Sequence, residues 1–197
     1  MTKLKISLPI IVEGRYDKST LSGFIEGTVI TTGGFSVFNN KEKQALIRRV
    51  AKDGIIVLTD SDGGGKQIRA FLAGIIPKDK IHNLYIPKIE GKESRKRKAG
   101  AAGILGVEGM EKDVLLRLLE PFADGNSPVK SGKMITKVDF FCDKLTGCDN
   151  AAANRARLCE KCELPNDMTP NALLEAMNLL YGYDGYKDLV SKINSEN

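Results

Sequence analysis

Gly54-Ile55-Ile56-Val57-Leu58-Thr59-Asp60-Ser61-Asp62-Gly63-Gly64-Gly65 runs from an apolar, β-branched stretch into two acids one residue apart and then three glycines. Such a run, closed by turn residues, predicts a buried strand. Side chains alternate along a strand, so Asp60 and Asp62 at its tip point to the same side. Pro9-Ile10-Ile11-Val12-Glu13-Gly14 repeats the theme near the N-terminus. If the two strands are neighbours, Glu13, Asp60 and Asp62 converge at one edge of a sheet. Three carboxylates there repel one another unless a divalent cation sits among them. A magnesium site is therefore expected, and with it phosphate chemistry.

Working outward, residues 6–12 read as a strand and residues 17–25 as a helix with Leu21, Phe24 and Ile25 on one side. Residues 28–31 read as a short strand stopped by Gly33-Gly34, and residues 40–52 as a helix capped by Asn39 or Asn40. After the strand at 55–59 come a helix at 66–73 and a strand at 81–86 closed by Pro87. Strict alternation predicts an α/β fold, a mainly parallel sheet flanked by helices. Ligands on such sheets bind beyond the C-terminal strand ends. Gly14 and the glycines ending in Gly65 are expected to let the backbone turn and a phosphate approach closely. Lys66 and Arg69 follow at a helix N-terminus, where that phosphate would lie. The Gly33-Gly34 pair reads as a turn that could floor the acidic cleft.

Residues 88–109 read as a basic loop, in which Lys88, Lys92, Arg95, Lys96, Arg97 and Lys98 face only Glu90 and Glu93. A helix over 111–119 is halted by Pro121, and residues 127–133 form another loop. Beyond it the pattern is all helix, at 136–142, 150–161, 170–181 and 186–193, with Pro170 in a first-turn position after Thr169. The expected division is a catalytic domain at 1–98, a basic and flexible connection with one helix at 99–132, and a small helical domain at 133–197. A metal cluster beside a dense cationic loop suits a nucleic-acid enzyme: cations hold the phosphate backbone while the metal works on one phosphodiester.

Composition narrows the classes. The chain has 197 residues, 42% hydrophobic and 28% charged, with a formal net charge of +5, enough for a real core in a soluble protein. No apolar run is long enough to cross a bilayer, and no signal-peptide h-region is seen, so the expected compartment is the cytoplasm. His82 is the only histidine and lies inside a strand pattern, which argues against Ser-His-Asp or Cys-His catalysis. The glycines after Asp62 do not spell a P-loop. Cys142, Cys148, Cys159 and Cys162 read either as packed small apolar residues or as zinc ligands, only the last pair having familiar metal spacing.

Glu13-Gly14-Arg15-Tyr16-Asp17 with Leu21, followed by Asp60-Ser61-Asp62, resembles the Glu-Gly-x-x-Asp and Asp-x-Asp motifs of the Toprim fold. Within that superfamily the chain is most similar to the ribonuclease M5 family, the maturases of 5S ribosomal RNA. Thr59-Asp60-Ser61-Asp62 with Gly65 and Ile68-Arg69, then Ile86-Pro87-Lys88, the basic loop and Gly106-Val107-Glu108 follow that family's order. Leu145, Gly147, Ala151, Arg155, Arg157-Leu158, Leu164-Pro165, Leu173-Leu174 and Met177-Asn178 resemble its helical C-terminal domain. The chain departs from the family pattern in its three glycines after Asp62, in Gly109, and in extra length near 99–105.

The resemblance implies magnesium-dependent hydrolysis of both strands of a double-stranded region in precursor 5S RNA, assisted in some relatives by a 5S-binding ribosomal protein. It implies that Glu13, Asp60 and Asp62 hold one or two magnesium ions. Gly14, Asp17, Gly33 and Gly65 would support them. Lys66, Arg69, Lys88, Arg95, Lys96, Arg97 and Lys98, together with Arg155 and Arg157, would contact RNA phosphates, and the helical domain at 133–197 would bind RNA. The competing readings are a Toprim nuclease or primase-like enzyme acting on DNA, a non-catalytic RNA-binding ribosome-assembly factor, and a phosphatase with Asp60 as nucleophile.

Overall fold

Short runs of apolar and β-branched residues form four strands: β1 (Leu4–Val12), β2 (Ile25–Thr31), β3 (Ile55–Thr59) and β4 (Ile81–Tyr85). They make one parallel sheet in the order β2-β1-β3-β4. The computed structural model describes residues 2–91, 103–126 and 132–195. Arg95, Lys96, Arg97 and Lys98, and most of the loop expected at 127–133, lie outside the described residues. The chain falls into two units, Met1–Asn126 and Ser127–Asn197.

In the first unit β3 is buried along its whole length, as a strand covered on both faces must be. One face packs Ile11, Ile55 and Val57 against Ile47 of α2 (Lys41–Val50) and Ile68 and Leu72 of α3 (Gly63–Ile75). Asn40, not Asn39, caps α2: its side chain accepts the Lys43 N–H at 2.9 Å. This α/β sheet is the Toprim-like architecture expected from the motifs.

The elements differ from expectation in three places. Helix α1 (Arg15–Ser22) stops at Gly23, so Phe24 and Ile25 are buried outside it, and β2 starts at Ile25 rather than Thr28. Gly23 weakens the helix, while Ile25, Thr28, Val29, Ile30 and Thr31 favour extended backbone. Second, the three glycines are not a loop but the first turn of α3. The Asp62 side chain accepts the Gly65 N–H at 2.9 Å, and this cap starts a helix on residues of low propensity.

Third, residues 103–126 belong to the first unit instead of a free connection. Helix α4 (Lys112–Leu119) and the 3-10 turn Glu120–Phe122, which contains Pro121, bury Leu115, Leu119 and Phe122. His82 of β4 packs on Phe122 with ring centroids 5.3 Å apart. Register shifts in β1 between Ile6 and Ile10, beside Pro9, which has no N–H to give the ladder. Asp124 mends this bulge. Its Oδ1 accepts from Ser7 N at 2.9 Å and Ser7 Oγ at 2.7 Å, and its own N–H donates to the Lys5 carbonyl at 2.9 Å.

The second unit holds α5 (Lys137–Cys142), α6 (Ala151–Lys161), α7 (Pro170–Leu180) and α8 (Gly182–Ser195). Thr136 and Asp139 form a capping box at α5. Phe140 stacks on the buried Tyr186, whose hydroxyl donates to Asp143. The Asn178 side chain brackets Ile135, accepting its N–H at 2.8 Å and donating to its carbonyl at 3.0 Å. Among the described residues no helix is long and apolar enough to cross a membrane.

Candidate active site

In the strand order β2-β1-β3-β4 the chain leaves β1 toward one edge and β3 toward the other. The gap between β1 and β3 is the topological switch point, and ligands of parallel sheets sit beyond the strand ends there. Glu13 directly follows β1 and Asp60 directly follows β3. The rungs Ile10↔Ile56 and Ile11↔Val57, continued by two residues, bring Glu13 beside Thr59. Two main-chain donors and one hydroxyl fix Glu13 in place: its carbonyl accepts from Gly33 N at 2.9 Å, Gly34 N at 3.2 Å and Thr32 Oγ1 at 3.2 Å. Both glycines have left-handed backbones, with φ of 73° and 60°, which other residues rarely adopt. Gly33 is thus a backbone clamp for Glu13.

Asp60 is held on two sides. A Cβ at Gly65 would lie 1.9 Å from the Asp60 carbonyl oxygen, and one at Gly106 would lie 2.5 Å from Asp60 Oδ2. Gly65 therefore makes room for the protein's own backbone, which corrects the expectation that it admits a phosphate. The segment at Gly106 returns to this edge because Asp60 Oδ1 accepts the Val107 N–H at 2.8 Å. Asp62 stands at the same edge, with Oδ1 committed to capping α3.

Arg69 lies beneath these acids. It is only 8% exposed. Its Nη1 donates to Thr59 Oγ1 and to the Asp60 carbonyl at 3.2 Å, and its guanidinium sits 4.8 Å over the Tyr85 ring. Burial lowers its pKa, while Tyr85, Asp62, Asp60 and Glu13 all push it back up. All three acids act on this one buried cation, in keeping with the strand register that brings Glu13 beside Thr59. The same burial corrects the expected role of Arg69 as an RNA contact: it is an internal counter-charge and a tie between α3 and the end of β3.

Asp17, 7% exposed, accepts the Gly14 N–H at 2.8 Å. Burial pushes its carboxyl up to about 6; the Gly14 N–H opposes the rise, the charges of Asp60 and Glu108 add to it, and the Glu108 N–H opposes it again. Gly14 itself is extended, and a Cβ there would make only ordinary contact with Asp17 at 3.5 Å. Among the described residues nothing demands a glycine at 14. Glu108 is the residue that sequence reasoning missed as a site member. Gly106-Val107-Glu108 stood out as a motif, but no spacing rule could carry it back to Asp17 and Asp60.

The expected phosphate contacts divide. Lys66 and Lys88 are exposed, and Arg95 to Lys98 lie outside the described residues. Arg155 is half-buried in the second unit, with Nη1 donating to the Leu145 carbonyl at 2.7 Å and Nε buried without a partner. It ties α6 to the segment that follows α5. Arg157 lines a cavity of about 560 Å³ with Asp143, Lys144, Asn150 and Asn154.

Cys142 and Cys148 are exposed, Cys159 and Cys162 buried. Burial, with Cys162 adding and Arg155 opposing, pushes the Cys159 thiol up to about 12. Among the described residues no three of His, Cys, Asp or Glu are grouped to hold a metal. The zinc alternative has no such group among them, and Glu13, Asp60 and Asp62 share an edge without closing on a single three-ligand point. Magnesium is commonly held by one or two carboxylates, several waters and substrate phosphate. The donor chemistry of this edge suits it on those terms.

No family model matches the chain. It is 30% identical over 157 residues to ribonuclease M5 of Fusobacterium nucleatum, covering 79% of each chain. It is 28% identical over 180 residues to ribonuclease M5 of Lactococcus lactis, covering 81% of this chain and 83% of that one. Against ribonuclease M5 of Bacillus anthracis it is 27% identical over 155 residues, covering 79% and 78%.

Proposed function

The chain belongs to the ribonuclease M5 family, and from that premise we propose that it is a magnesium-dependent endoribonuclease that matures precursor 5S ribosomal RNA by cutting both strands of a double-stranded region. The relatives named above are ribonucleases. The observation that carries the reading for this chain is the pairing of Glu13 and Asp60 at the ends of adjacent parallel strands, with Asp62 and the buried Arg69 beside them.

Carboxylates drawn from Glu13, Asp60 and Asp62, one or two to an ion, would hold magnesium together with water and substrate phosphate. When bound, it would supply an activated water and stabilise charge on the entering and leaving oxygens of the phosphodiester. The protein's own part is preorganisation. Three donors to its carbonyl fix the backbone of Glu13. The Val107 N–H orients the Asp60 carboxylate, and Arg69 holds the Asp60 carbonyl. The buried Arg69 guanidinium sets a fixed positive charge against this acidic edge. Lys66 and Lys88 supply exposed positive charge for the phosphate backbone, and the sequence adds the basic run Arg95, Lys96, Arg97 and Lys98, outside the described residues. A 5S-binding ribosomal protein that shapes the RNA is the proposed partner.

The test is incubation with end-labelled precursor 5S RNA, with magnesium and with EDTA. Two cuts, lost in EDTA and in Asp60→Asn, support the reading. Tight binding without cleavage at any magnesium concentration would instead favour an assembly factor, and cleavage of DNA alone would favour the DNA-directed alternative.

A further inference from the structure

Phe35 is 52% exposed, yet its ring is firmly backed. It stacks on Phe38 with centroids 5.5 Å apart and planes 20° apart, and Phe38 packs on Phe71 of α3 at 4.9 Å. Its position is set by the acids. A Cβ at Gly64 would lie 3.7 Å from Phe35 Cζ and 3.3 Å from Asp62 Oδ1, and a Cβ at the adjoining Gly34 would lie 3.9 Å from Glu13 Oε1. The ring therefore stands on the rim between Glu13 and Asp62. Leaving an aromatic half in water forgoes apolar burial, and neighbouring carboxylates gain nothing from it. Exposure alone is ordinary for a surface aromatic; its place beside the acids, with Phe38 behind the ring, suits a flat apolar ligand.

Nucleobases are such ligands. Proteins that act on RNA hold splayed bases on exposed aromatic rings, because every base offers a π-face. We propose that Phe35 is a stacking platform for a nucleobase flanking the scissile phosphate, holding that base out of the helical stack so that the phosphodiester can reach the acidic edge. Phe35 is then a substrate-positioning residue, and the RNA is locally unstacked where it is cut. This rests on the ribonuclease reading above.

The test uses the full chain and a precursor 5S hairpin with 2-aminopurine at each position flanking the mapped cuts. Phe35→Ala and Phe35→Leu should lower kcat about fivefold to a hundredfold, the range set by one lost base stack. KM should stay within about threefold, because duplex binding rests on phosphate contacts. Phe35→Tyr and Phe35→Trp should keep near-parental rates. In EDTA, 2-aminopurine at one flanking position should be quenched more by the parent than by Phe35→Leu. Parental kcat and identical fluorescence in Phe35→Leu would overturn stacking while leaving the ribonuclease reading intact, and would point to an apolar protein contact instead. A parent that binds the hairpin but never cuts it would sink both.

Discussion

Replacing Gly65 by Ala sets two effects of known sign against each other. In the interior of an exposed helix the change stabilises by about 0.5–1 kcal/mol, because Gly loses the most backbone freedom on folding. At position 65 the new Cβ would lie 1.9 Å from the Asp60 carbonyl oxygen and 2.9 Å from its carbonyl carbon. Ordinary contact needs about 3.3 Å, so the first turn of α3 or the end of β3 must yield by more than 1 Å. Both are main chain, and forcing extra atoms into packed surroundings costs about 1–3 kcal/mol. The clash should win, leaving Gly65→Ala about 1–2 kcal/mol less stable than the parent. Gly74 lies in the same helix with nothing within 4 Å of its Cβ position, so Gly74→Ala is the matched control and should gain the helix term alone. Urea unfolding followed by circular dichroism measures both. Because the displaced atom is the carbonyl of Asp60, RNA cleavage by Gly65→Ala should fall by more than its loss of stability explains. A Gly65→Ala protein as stable as Gly74→Ala, with parental activity, would refute the account of this joint.

Asp60→Asn should keep its thermal midpoint within a few degrees of the parent, since an amide oxygen can still accept the Val107 N–H, while magnesium-dependent cleavage disappears. Loss of both together would mean that Asp60 is mainly structural. Asp17 binds its proton more tightly in the folded chain, at about 6 against 3.8 for an ordinary aspartate. Its contribution is therefore complete below about pH 4 and lost as pH rises through 6, worth up to about 3 kcal/mol in metal-free protein. Asp17→Asn should flatten that part of the stability–pH curve, and an unchanged slope in EDTA would count against it. Arg69→Met leaves the three acids without their buried partner and should cost about 3 kcal/mol or more by denaturant titration. A neutral result would show that the charges are already dispersed by solvent.

The main lines of the fold were legible because the sheet advertises itself. The run Ile55 to Thr59 followed by Asp60 and Asp62, and Ile10 to Val12 followed by Glu13, mark two strand ends, and parallel pairing puts them together. The errors have local causes. Phe24 and Ile25 matched a helical stripe with Leu21, but Gly23 and the β-branched residues after it decide the backbone. The glycines after Asp62 looked like loop, and only the side-chain cap shows that a helix begins there. Arg69 illustrates a limit of reading charge from sequence: a cation in a functional motif can be spent inward, and burial decides it. Glu108 escaped because the contact between Asp60 and the Val107 amide spans 47 residues, beyond any periodic pattern.

That long-range contact bears on when the chain could become dangerous to its surroundings. A growing polypeptide that has completed β3 already carries Glu13, Asp60 and Asp62, but not the amide at 107 that aims Asp60. A fragment left by early termination or proteolysis lacks it in the same way. If Asp60 carries the proposed chemistry, cutting waits on synthesis through residue 107, and any shorter chain lacks the contact that aims it.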